Sequence, residues 1–350
     1  MKPKDFQHAV IDWYQHQGRK DLPWQNPITP YRVWISEIML QQTQVSTVIP
    51  YFERFMTSFP TVVDLAKASV DEVLHHWTGL GYYARARNLH KTAQLISFDM
   101  NQQIPDTVEE LSQLPGIGRS TAGAIRSIGF KQPAAILDGN VKRVLARYAA
   151  IDGWPGKTAV HNQLWDIAEL YSPDQYTQEY TQEYTQAMMD LGALLCTKRS
   201  PVCSSCPIAE GCKAKAEGNQ ALYPGKKPKK LRPVRKSIFL MLRNPQGNIL
   251  LQKNSLAGLW GGLWVLPQIQ QRKQLEATCN QLGLSIKSEQ LLEKLRHSFS
   301  HFHLDYQPLQ VEVEESCDII DGNNDLVWYN PENPLSLGMP APIKALLISE

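Results

Sequence analysis

The pattern of apolar positions divides the chain into a helical part and a strand-rich part. Apolar residues recur every three or four positions at 6–13 and again at 33–39, which is typical of amphipathic helices. Shorter apolar runs at 238–242 and 249–251, with Gly247 between them, predict a β-hairpin. The pattern therefore predicts a mostly α-helical N-terminal domain and an α+β C-terminal domain.

Two capping patterns indicate where helices begin. Ser69-x-x-Glu72 has the spacing of a capping box, in which each side chain bonds the other residue's backbone N–H. Asp106 and Glu109 have the same spacing and are predicted to cap the helix that leads into residues 111–118.

Residues 111–124 have the pattern of two helices joined by a tight turn, with Leu-Pro-Gly-Ile-Gly at 114–118. Pro115 is expected to end the first helix. Gly116 and Gly118 are expected to allow positive φ and to leave backbone N–H groups uncovered at the start of the second helix. A DNA phosphate is the obvious anion for such a helix–hairpin–helix turn, although an ordinary glycine-capped turn explains the same residues.

Composition and charge narrow the choice of class. The chain has 350 residues, of which 43% are hydrophobic, so two domains with real cores are expected. No apolar run approaches the ~20 residues of a membrane span, and residues 1–10 lack the apolar block of a signal peptide, so we expect a soluble intracellular chain. The net charge is only +2, and seven of the 36 basic residues lie in the Pro-containing stretch 226–236. Any DNA contact elsewhere must therefore depend on local geometry.

Four cysteines lie close together after the helical part. Six, two and five residues separate Cys196, Cys203, Cys206 and Cys212. Such a cluster in an intracellular chain favours metal over disulfides. A four-cysteine zinc site and a [4Fe–4S] cluster both require four thiolates, so spacing alone does not separate them.

Two carboxylates stand out from their surroundings. Glu37 lies within an apolar helical pattern, where a buried carboxylate is costly and an exposed one is ordinary. Asp138 precedes a helix that contains Lys142 and is a good N-cap candidate; a helix mouth also favours the ionised form. Gln42 lies in a polar cluster that follows the predicted helix with Glu37. Tyr82 follows Gly81 in a turn, and either contact with nucleic acid or packing in the core explains this aromatic residue equally well.

These motifs together resemble a known family. LPGIGRSTAGAI at 114–125, Asp138 and the cysteine spacing resemble the endonuclease III superfamily of DNA glycosylases. SEIMLQQTQV at 36–45 and GLGYYARARNLH at 79–90 resemble adenine DNA glycosylases of the MutY type, and the resemblance covers nearly the whole chain. It implies a [4Fe–4S] cluster in the loop 196–212. It also implies removal of adenine paired with 8-oxoguanine or guanine in duplex DNA, by a cytoplasmic monomer that is associated with the nucleoid while bound to DNA and has no membrane partner.

The resemblance also assigns roles to individual residues. Glu37 would protonate adenine at N7, Asp138 would stabilise the sugar cation, and Asn140 would orient Asp138 or water. The residues that would contact DNA are Gln42, Tyr82, Gly116, Gly118 and Ser120. The residues that would line the adenine pocket are Arg19, Trp24 and Gln186. The residues that would recognise the opposite base are Phe299, Ser300 and His301.

Ser120 separates the subfamilies. The lyase members have a Lys at the matching position, whose amine forms a Schiff base and cuts the strand, which a Ser hydroxyl cannot do. The sequence therefore predicts a monofunctional glycosylase that leaves an abasic site. The alternatives are a bifunctional pyrimidine-directed lyase with Lys142 as the amine, and a non-enzymatic iron–sulfur DNA-binding module.

The C-terminal part resembles a Nudix-type domain. The predicted division is a glycosylase domain at 1–221, a basic linker at 222–236 and a lesion-recognition domain at 237–350. Residues 258–267 are expected to form a bulged aromatic strand, and residues 297–303 alternate like a strand. Pyrophosphate cleavage needs several glutamates for Mg²⁺ on the next helix. The segment IQQRKQLEATCNQLG at 269–283 has only Glu276, so a recognition role is expected instead.

A short repeat interrupts the helical part. Residues 176–186 contain YTQE twice and then YTQ. A four-residue period is close to one helical turn, so the segment is interpreted as a tandem duplication in or beside a helix. The resemblance leads us to expect a shorter segment here.

Overall fold

The computed structural model describes the chain except at a few short segments. The described residues are 1–174, 180–228, 231–256, 258–315 and 323–348. Residues 176–179 of the YTQE repeat lie outside them.

The chain separates into two compact units. The first contains Met1–Lys67 and Asn88–Pro228, and the second contains Ala68–Arg87 and Lys229–Glu350. The segment Ala68–Arg87 therefore groups with the C-terminal sequence, although it interrupts the helical sequence of the first unit. No described helix combines the length and the apolar character that crossing a membrane requires.

Helices build the first unit and are fewer in the second. The described α-helices are α1 Pro3–Gln17, α2 Pro30–Leu40, α3 Val45–Ser58, α4 Val62–Lys67, α5 Val70–Trp77, α6 Ala84–Gln94, α7 Val108–Gln113, α8 Arg119–Ala124, α9 Gly139–Tyr148, α10 Thr158–Tyr171, α11 Thr181–Asp190, α12 Lys213–Ala216, α13 Leu275–Gln281 and α14 Ala341–Ile348. π-Helical turns extend three of them: Leu95–Asp99 follows α6, Ile125–Gly129 follows α8, and Leu191–Leu195 follows α11.

The capping predictions have mixed outcomes. Ser69 and Glu72 form the predicted capping box at α5. The prediction for Asp106 and Glu109 is wrong by one residue, because Thr107 caps α7. Its Oγ1 accepts a hydrogen bond from the backbone N–H of Glu110 at 3.2 Å and donates to the Glu110 carboxylate at 2.7 Å.

One mixed sheet forms the centre of the second unit. The described strands are β1 Val234–Arg243, β2 Ile249–Lys253, β3 Trp264–Val265, β4 Gln268–Ile269, β5 Leu284–Leu291, β6 Leu295–Ser298, β7 His303–Glu315 and β8 Leu326–Tyr329. β1 pairs with β2, as the sequence predicts, and runs parallel to β7. α13 covers one part of this sheet, where Leu275 and Cys279 pack into a buried apolar cluster with Leu240 and Val311.

Two strand predictions in this unit are wrong. Residues 258–263 form turns, and only Trp264–Val265 pairs as a strand. Trp260 and Gly262 have φ of 55° and 76°, which no extended strand accommodates. Residues 297–303 form a hairpin, because Ser298 pairs with His303 and leaves residues 299–302 as its tip.

Several contacts bond the segment Ala68–Arg87 to the C-terminal sequence. Lys253 Nζ lies 2.8 Å from the Asp71 carboxylate. Arg87 Nη1 donates to the Gly261 carbonyl at 2.6 Å. The Tyr83 hydroxyl donates to the Met339 carbonyl at 3.1 Å. These contacts explain why α5 belongs to the second unit.

Candidate active site and metal centre

A cleft of about 920 Å³ in the first unit contains eight of the predicted site residues. Its volume is within the range of small-molecule sites. The predicted residues that line it are Arg19, Trp24, Glu37, Gln42, Ser120, Asp138, Asn140 and Gln186.

Glu37 enters the cleft from α2, whose other side chains are largely buried. Trp34, Ile35 and Met39 are almost fully inaccessible to solvent and hold the helix in place. Burial, with a smaller contribution from the charge of Asp138, raises the pKa of Glu37 to about 8. A carboxyl group in this position keeps its proton at neutral pH and can donate it.

Asp138 caps α9, as predicted. Its Oδ1 accepts a hydrogen bond from the backbone N–H of Val141 at 2.7 Å. Burial raises the pKa of Asp138, while backbone hydrogen bonds from Val141 and Asn140 and the charges of Arg143 and Lys142 oppose that rise. The Asp138 charge also contributes to the raised pKa of Glu37. The cleft therefore holds two buried carboxyl groups, of which Asp138 has backbone hydrogen bonds and nearby cations that favour its charged form.

Arg143 connects this cleft to the cysteine loop, and the sequence analysis did not identify it. Its Nη2 donates to the Asn140 side-chain oxygen at 2.9 Å and to the Gly192 carbonyl at 2.6 Å. Its Nε donates to the Cys196 carbonyl at 2.7 Å. Gly192 permits this packing, since a Cβ there would lie 2.6 Å from the Cβ of Asn140.

Two of the three predicted adenine-pocket residues bond a buried carboxylate that the sequence did not indicate. Asp190 on α11 accepts hydrogen bonds from the side chains of Arg19 and Gln186. Trp24 is buried against the Phe52 ring, with ring centroids 5.5 Å apart.

Ser120 has a structural contact in addition to its place in the cleft. Its Oγ accepts a hydrogen bond from the backbone N–H of Leu137 at 2.9 Å, one residue before Asp138. The hydroxyl therefore fixes the segment that carries the catalytic candidate.

Gln42 and Tyr82 share an unusual backbone conformation but lie in different units. Their φ angles are 59° and 49°, in the left-handed region that residues other than glycine rarely adopt. Gln42 is exposed at the cleft. Tyr82 is 47% exposed, and the Arg85 guanidinium lies over its ring at 5.5 Å.

In the hairpin turn between α7 and α8, the predicted positive φ occurs at Gly116 but not at Gly118. Gly116 has a φ of 81°, and a Cβ there would lie 2.9 Å from the Cβ of Asn88. Gly118 has a φ of −90° and caps α8 with extended backbone, so the expectation of positive φ is wrong there. A Cβ at Gly118 would meet nothing within 4 Å, so the backbone is uncovered, as expected.

The four clustered cysteines line a second cavity in the first unit. Burial and the neighbouring thiols raise the pKa of Cys206 to about 11 and also raise that of Cys212. Arg147 Nη1 lies 3.3 Å from the Cys196 sulfur. Four crowded thiols beside a cation suit a positively charged metal group, which would allow all four to ionise. Across the described residues, however, no three His, Cys, Asp or Glu side chains are close enough to hold a single ion.

The remaining predicted residues lie at the β6–β7 hairpin tip of the second unit. The rings of Phe299 and Phe302 stack with centroids 4.5 Å apart. Phe302 is buried, whereas Ser300 and His301 are exposed, with Ser300 Oγ 3.3 Å from His301 Nδ1. The tip therefore presents two polar side chains on an aromatic base.

Comparisons with known proteins match both parts of the chain. Residues 35–170 match the HhH-GPD superfamily of base excision DNA repair proteins, and residues 238–349 match the NUDIX domain. The adenine DNA glycosylase of Buchnera aphidicola subsp. Acyrthosiphon pisum (strain APS) is 39% identical over 98% of this chain and 96% of its own. The adenine DNA glycosylase of Homo sapiens is 35% identical over 93% of this chain and 70% of its own.

Solved structures agree with the fold of the helical part. A thermostable thymine-DNA glycosylase superposes with a TM-score of 0.55 at 26% identity, over 61% of this chain and 97% of its own. Endonuclease III in a non-covalent DNA complex superposes with a TM-score of 0.50 at 21% identity, over 62% of this chain and 98% of its own, and supports the fold alone. Since the identity to curated relatives extends over nearly the whole chain, the protein belongs to the adenine DNA glycosylase family of base excision repair glycosylases.

Proposed function

We propose that this glycosylase removes adenine paired with 8-oxoguanine or guanine in duplex DNA. The observation that carries the proposal is one cleft that contains both Glu37, with its pKa raised to about 8, and Asp138, whose charged form backbone hydrogen bonds and nearby cations favour. The names of the curated relatives support adenine as the base.

The two carboxyl groups meet the two needs of N-glycosidic cleavage. The leaving base needs a proton, and the sugar develops positive charge as the bond breaks. Glu37 donates its proton to adenine N7, and the pair of bond electrons leaves with the base. Asp138 stabilises the sugar cation, which water then attacks to give the abasic site. Asn140 and Arg143 hold the start of α9 in place.

The adenine must leave the base stack to reach this cleft, which costs a few kcal/mol. Gln42 and Tyr82 are proposed to fill or wedge the stack that it leaves. The uncovered turn at Gly116 and Gly118, beside Ser120, is proposed to bind a backbone phosphate. Arg19, Trp24 and Gln186 are proposed to surround the extruded base.

The product is proposed to be an uncut strand with an abasic site. The residue at the lyase position is Ser120, whose hydroxyl is engaged with the Leu137 backbone. Labelled duplexes with A:8-oxoguanine, A:G and A:T pairs test this proposal under single-turnover conditions. We expect cleavage of the first two only after alkali treatment. Cleavage without alkali, or excision of a pyrimidine instead, would contradict the proposal.

The cysteine loop is proposed to hold a [4Fe–4S] cluster. Cys196, Cys203, Cys206 and Cys212 would be its ligands. Arg147 donates to the Cys196 sulfur and Gln220 to the Cys203 sulfur, and these hydrogen bonds would offset the negative charge of the thiolates. Protein purified without oxygen should be brown and contain iron, and Cys203→Ser should lose the colour. Stoichiometric zinc without iron would favour the four-cysteine zinc site instead.

The second unit is proposed to recognise the base opposite adenine. 8-Oxoguanine differs from guanine by a C8 carbonyl and an N7–H, and Ser300 and His301 offer exposed polar groups to distinguish them. α13 carries Glu276 as its only carboxylate, which argues for recognition over pyrophosphate cleavage. The division at 1–221, 222–236 and 237–350, a monomeric state and a cytoplasmic, nucleoid-associated location belong to the same proposal.

A further inference from the structure

Asp190 is fully buried, yet the catalytic scheme above gives it no role. Its side chain is 0% exposed, and it lies one turn after Gln186 on α11. Asp190 Oδ2 accepts from the Arg19 backbone N–H at 2.8 Å, and Oδ1 accepts from Arg19 Nε at 3.1 Å and Nη2 at 2.5 Å. A buried carboxylate is costly unless it is bonded in this way, so its place in the fold is fixed.

The same carboxylate determines which end of the Gln186 amide faces it. Gln186 Nε2 donates to Asp190 Oδ1 at 3.4 Å. The reversed amide would place its oxygen against the Asp190 oxygen that already accepts from Arg19, so two acceptors would face each other. Among the described residues this is the one hydrogen bond of the Gln186 side chain, and Gln186 itself lines the cleft with Glu37 and Asp138. The amide oxygen therefore remains available to the cleft.

We infer that Asp190 is the residue that makes the cleft selective for a 6-amino purine. By holding the Gln186 amide group, it leaves an acceptor toward the base. Adenine carries an amino donor at C6, whereas guanine and hypoxanthine carry a carbonyl oxygen there. An acceptor that faces another acceptor leaves both unpaired in a desolvated site, which is a strong basis for rejection. Asp190 acts through Gln186 and is a positioning residue.

The inference rests on the proposed function, because it concerns the base that enters the same cleft. It also gives the enzyme a reason to spare guanine, the normal partner base in its proposed substrate. Hypoxanthine is the informative probe because it keeps the N7 acceptor and differs from adenine at C6 and N1. Acid catalysis by Glu37 is therefore available to both bases, and the ratio of their excision rates measures recognition of the groups at C6 and N1.

The first experiment uses the full chain and two duplexes that differ only in adenine or hypoxanthine opposite guanine. In Asp190→Leu, the acceptor that holds the Gln186 amino group is removed, so neither end of that amide is held. Gln186 can then present its amino group as well as its oxygen to the cleft. We expect the adenine-to-hypoxanthine rate ratio to fall at least ~10-fold, with adenine excision slower and hypoxanthine excision faster.

A second variant restores the original polarity. In Asp190→Leu with Gln186→Glu, both side-chain oxygens at 186 are acceptors, so an acceptor faces the cleft in either orientation of that group. We expect the wild-type preference for adenine to return. A purely structural role for Asp190 would slow excision of both bases alike, and the double variant would not recover the ratio; either result overturns the inference.

Two further variants complete the test. Glu183 lies on the same helix, but its carboxylate bonds Gln15 and not the cleft residues. Glu183→Gln should therefore leave the ratio unchanged. Gln186→Met keeps the Asp190–Arg19 bonds and removes the acceptor, so the two rates should converge even if Asp190→Leu fails to fold. A wild-type ratio in Gln186→Met overturns the inference. If wild type excises no adenine at all, the proposed function fails instead.

Discussion

Glu37 and His301 are both titratable side chains at proposed DNA-contacting positions, but their surroundings are opposite. Glu37 lies in a cleft where burial and Asp138 raise its pKa to about 8. His301 lies on an exposed hairpin tip beside Ser300, above the stacked rings of Phe299 and Phe302. The first environment changes the protonation state of a group, and the second leaves polar groups accessible on a firm support.

This difference separates the chemistry from the recognition of the partner base. Proton donation needs a group whose charged form is disfavoured, and a desolvated cleft provides that. Recognition of a base edge needs donors and acceptors that can reach it without first being released from other bonds. We therefore expect changes at Glu37 to affect both mispairs alike, and changes at the tip to affect the ratio between the A:8-oxoguanine and A:G mispairs.

Glu37→Gln is expected to have the largest effect. Glutamine keeps the size and polarity of the side chain but has no proton to give, so excision should fall by roughly 10³-fold on both mispairs. Duplex affinity, measured by fluorescence anisotropy, should change little. Glu53→Gln, an exposed glutamate on α3, is the matched control. Excision by Glu37→Gln close to the wild-type rate, or a loss confined to one mispair, would contradict the separation.

The pH dependence should follow the same carboxyl group. The single-turnover rate should decline about tenfold per pH unit above pH 8, because Glu37 then loses the proton that it donates. The free energy of unfolding should also decrease as pH rises, since the folded state binds this proton more tightly than the unfolded chain. The contribution is complete below the ordinary pKa of 4.5 and is lost as pH rises through about 8.

Urea unfolding at pH 5, 7 and 9 measures that contribution. Wild type should lose stability relative to Glu37→Gln across this series, whereas Glu53→Gln should follow wild type. Parallel curves for wild type and Glu37→Gln would show that the pKa of Glu37 is not raised by folding.

The sequence predicted the features that depend on local chemistry. Ser69, Asp138 and Gly116 have the predicted cap or turn geometry, because neighbouring backbone groups determine each of them. The helical and sheet-containing parts were also predicted correctly from periodicity. The motif resemblance brought together Glu37 and Asp138, which the fold places in one cleft.

The features that were missed depend on residues distant in sequence. Arg143 bonds Gly192 and Cys196, about 50 residues away, and nothing in its own segment indicates this. Asp190 is 171 residues from Arg19. The alternation at 297–303 predicted one strand because a period of two is the same in a strand and in both arms of a tight hairpin. Only the pairing of Ser298 with His303 distinguishes them.

Ser120→Lys is a test of the cleft with an intermediate effect. It introduces an amine beside Asp138, so part of the product should be cleaved without alkali and trapped by borohydride. The change also removes the hydrogen bond to Leu137, which should cost about 1 kcal/mol of stability. Ser120→Ala loses the same bond without gaining an amine and is the control. Equal trapping of wild type would indicate that Lys142 or another amine already serves.

Changes at the hairpin tip are expected to have the smallest effect. Point variants test the role of the tip more cleanly than truncation of the C-terminal sequence. Deletion of residues 237–350 would remove the bonding partners of Asp71, Tyr83 and Arg87, so Ala68–Arg87 would lose its support as well. Any change in excision would then mix recognition with folding.

Ser300→Ala combined with His301→Ala removes the two exposed polar side chains and keeps the Phe299–Phe302 stack. The preference for A:8-oxoguanine over A:G should fall by about tenfold, because each placed polar contact discriminates by ~1–3 kcal/mol. Glu37 is untouched, so excision of A:G should remain near wild type. Ser298→Ala removes a hydroxyl from the arm of the same hairpin, where it bonds His303 at 2.9 Å, and should leave the preference unchanged. If the double variant keeps the wild-type ratio, or loses excision of both mispairs equally, the tip does not distinguish the partner base, and the chemistry and the recognition are not divided between these two regions.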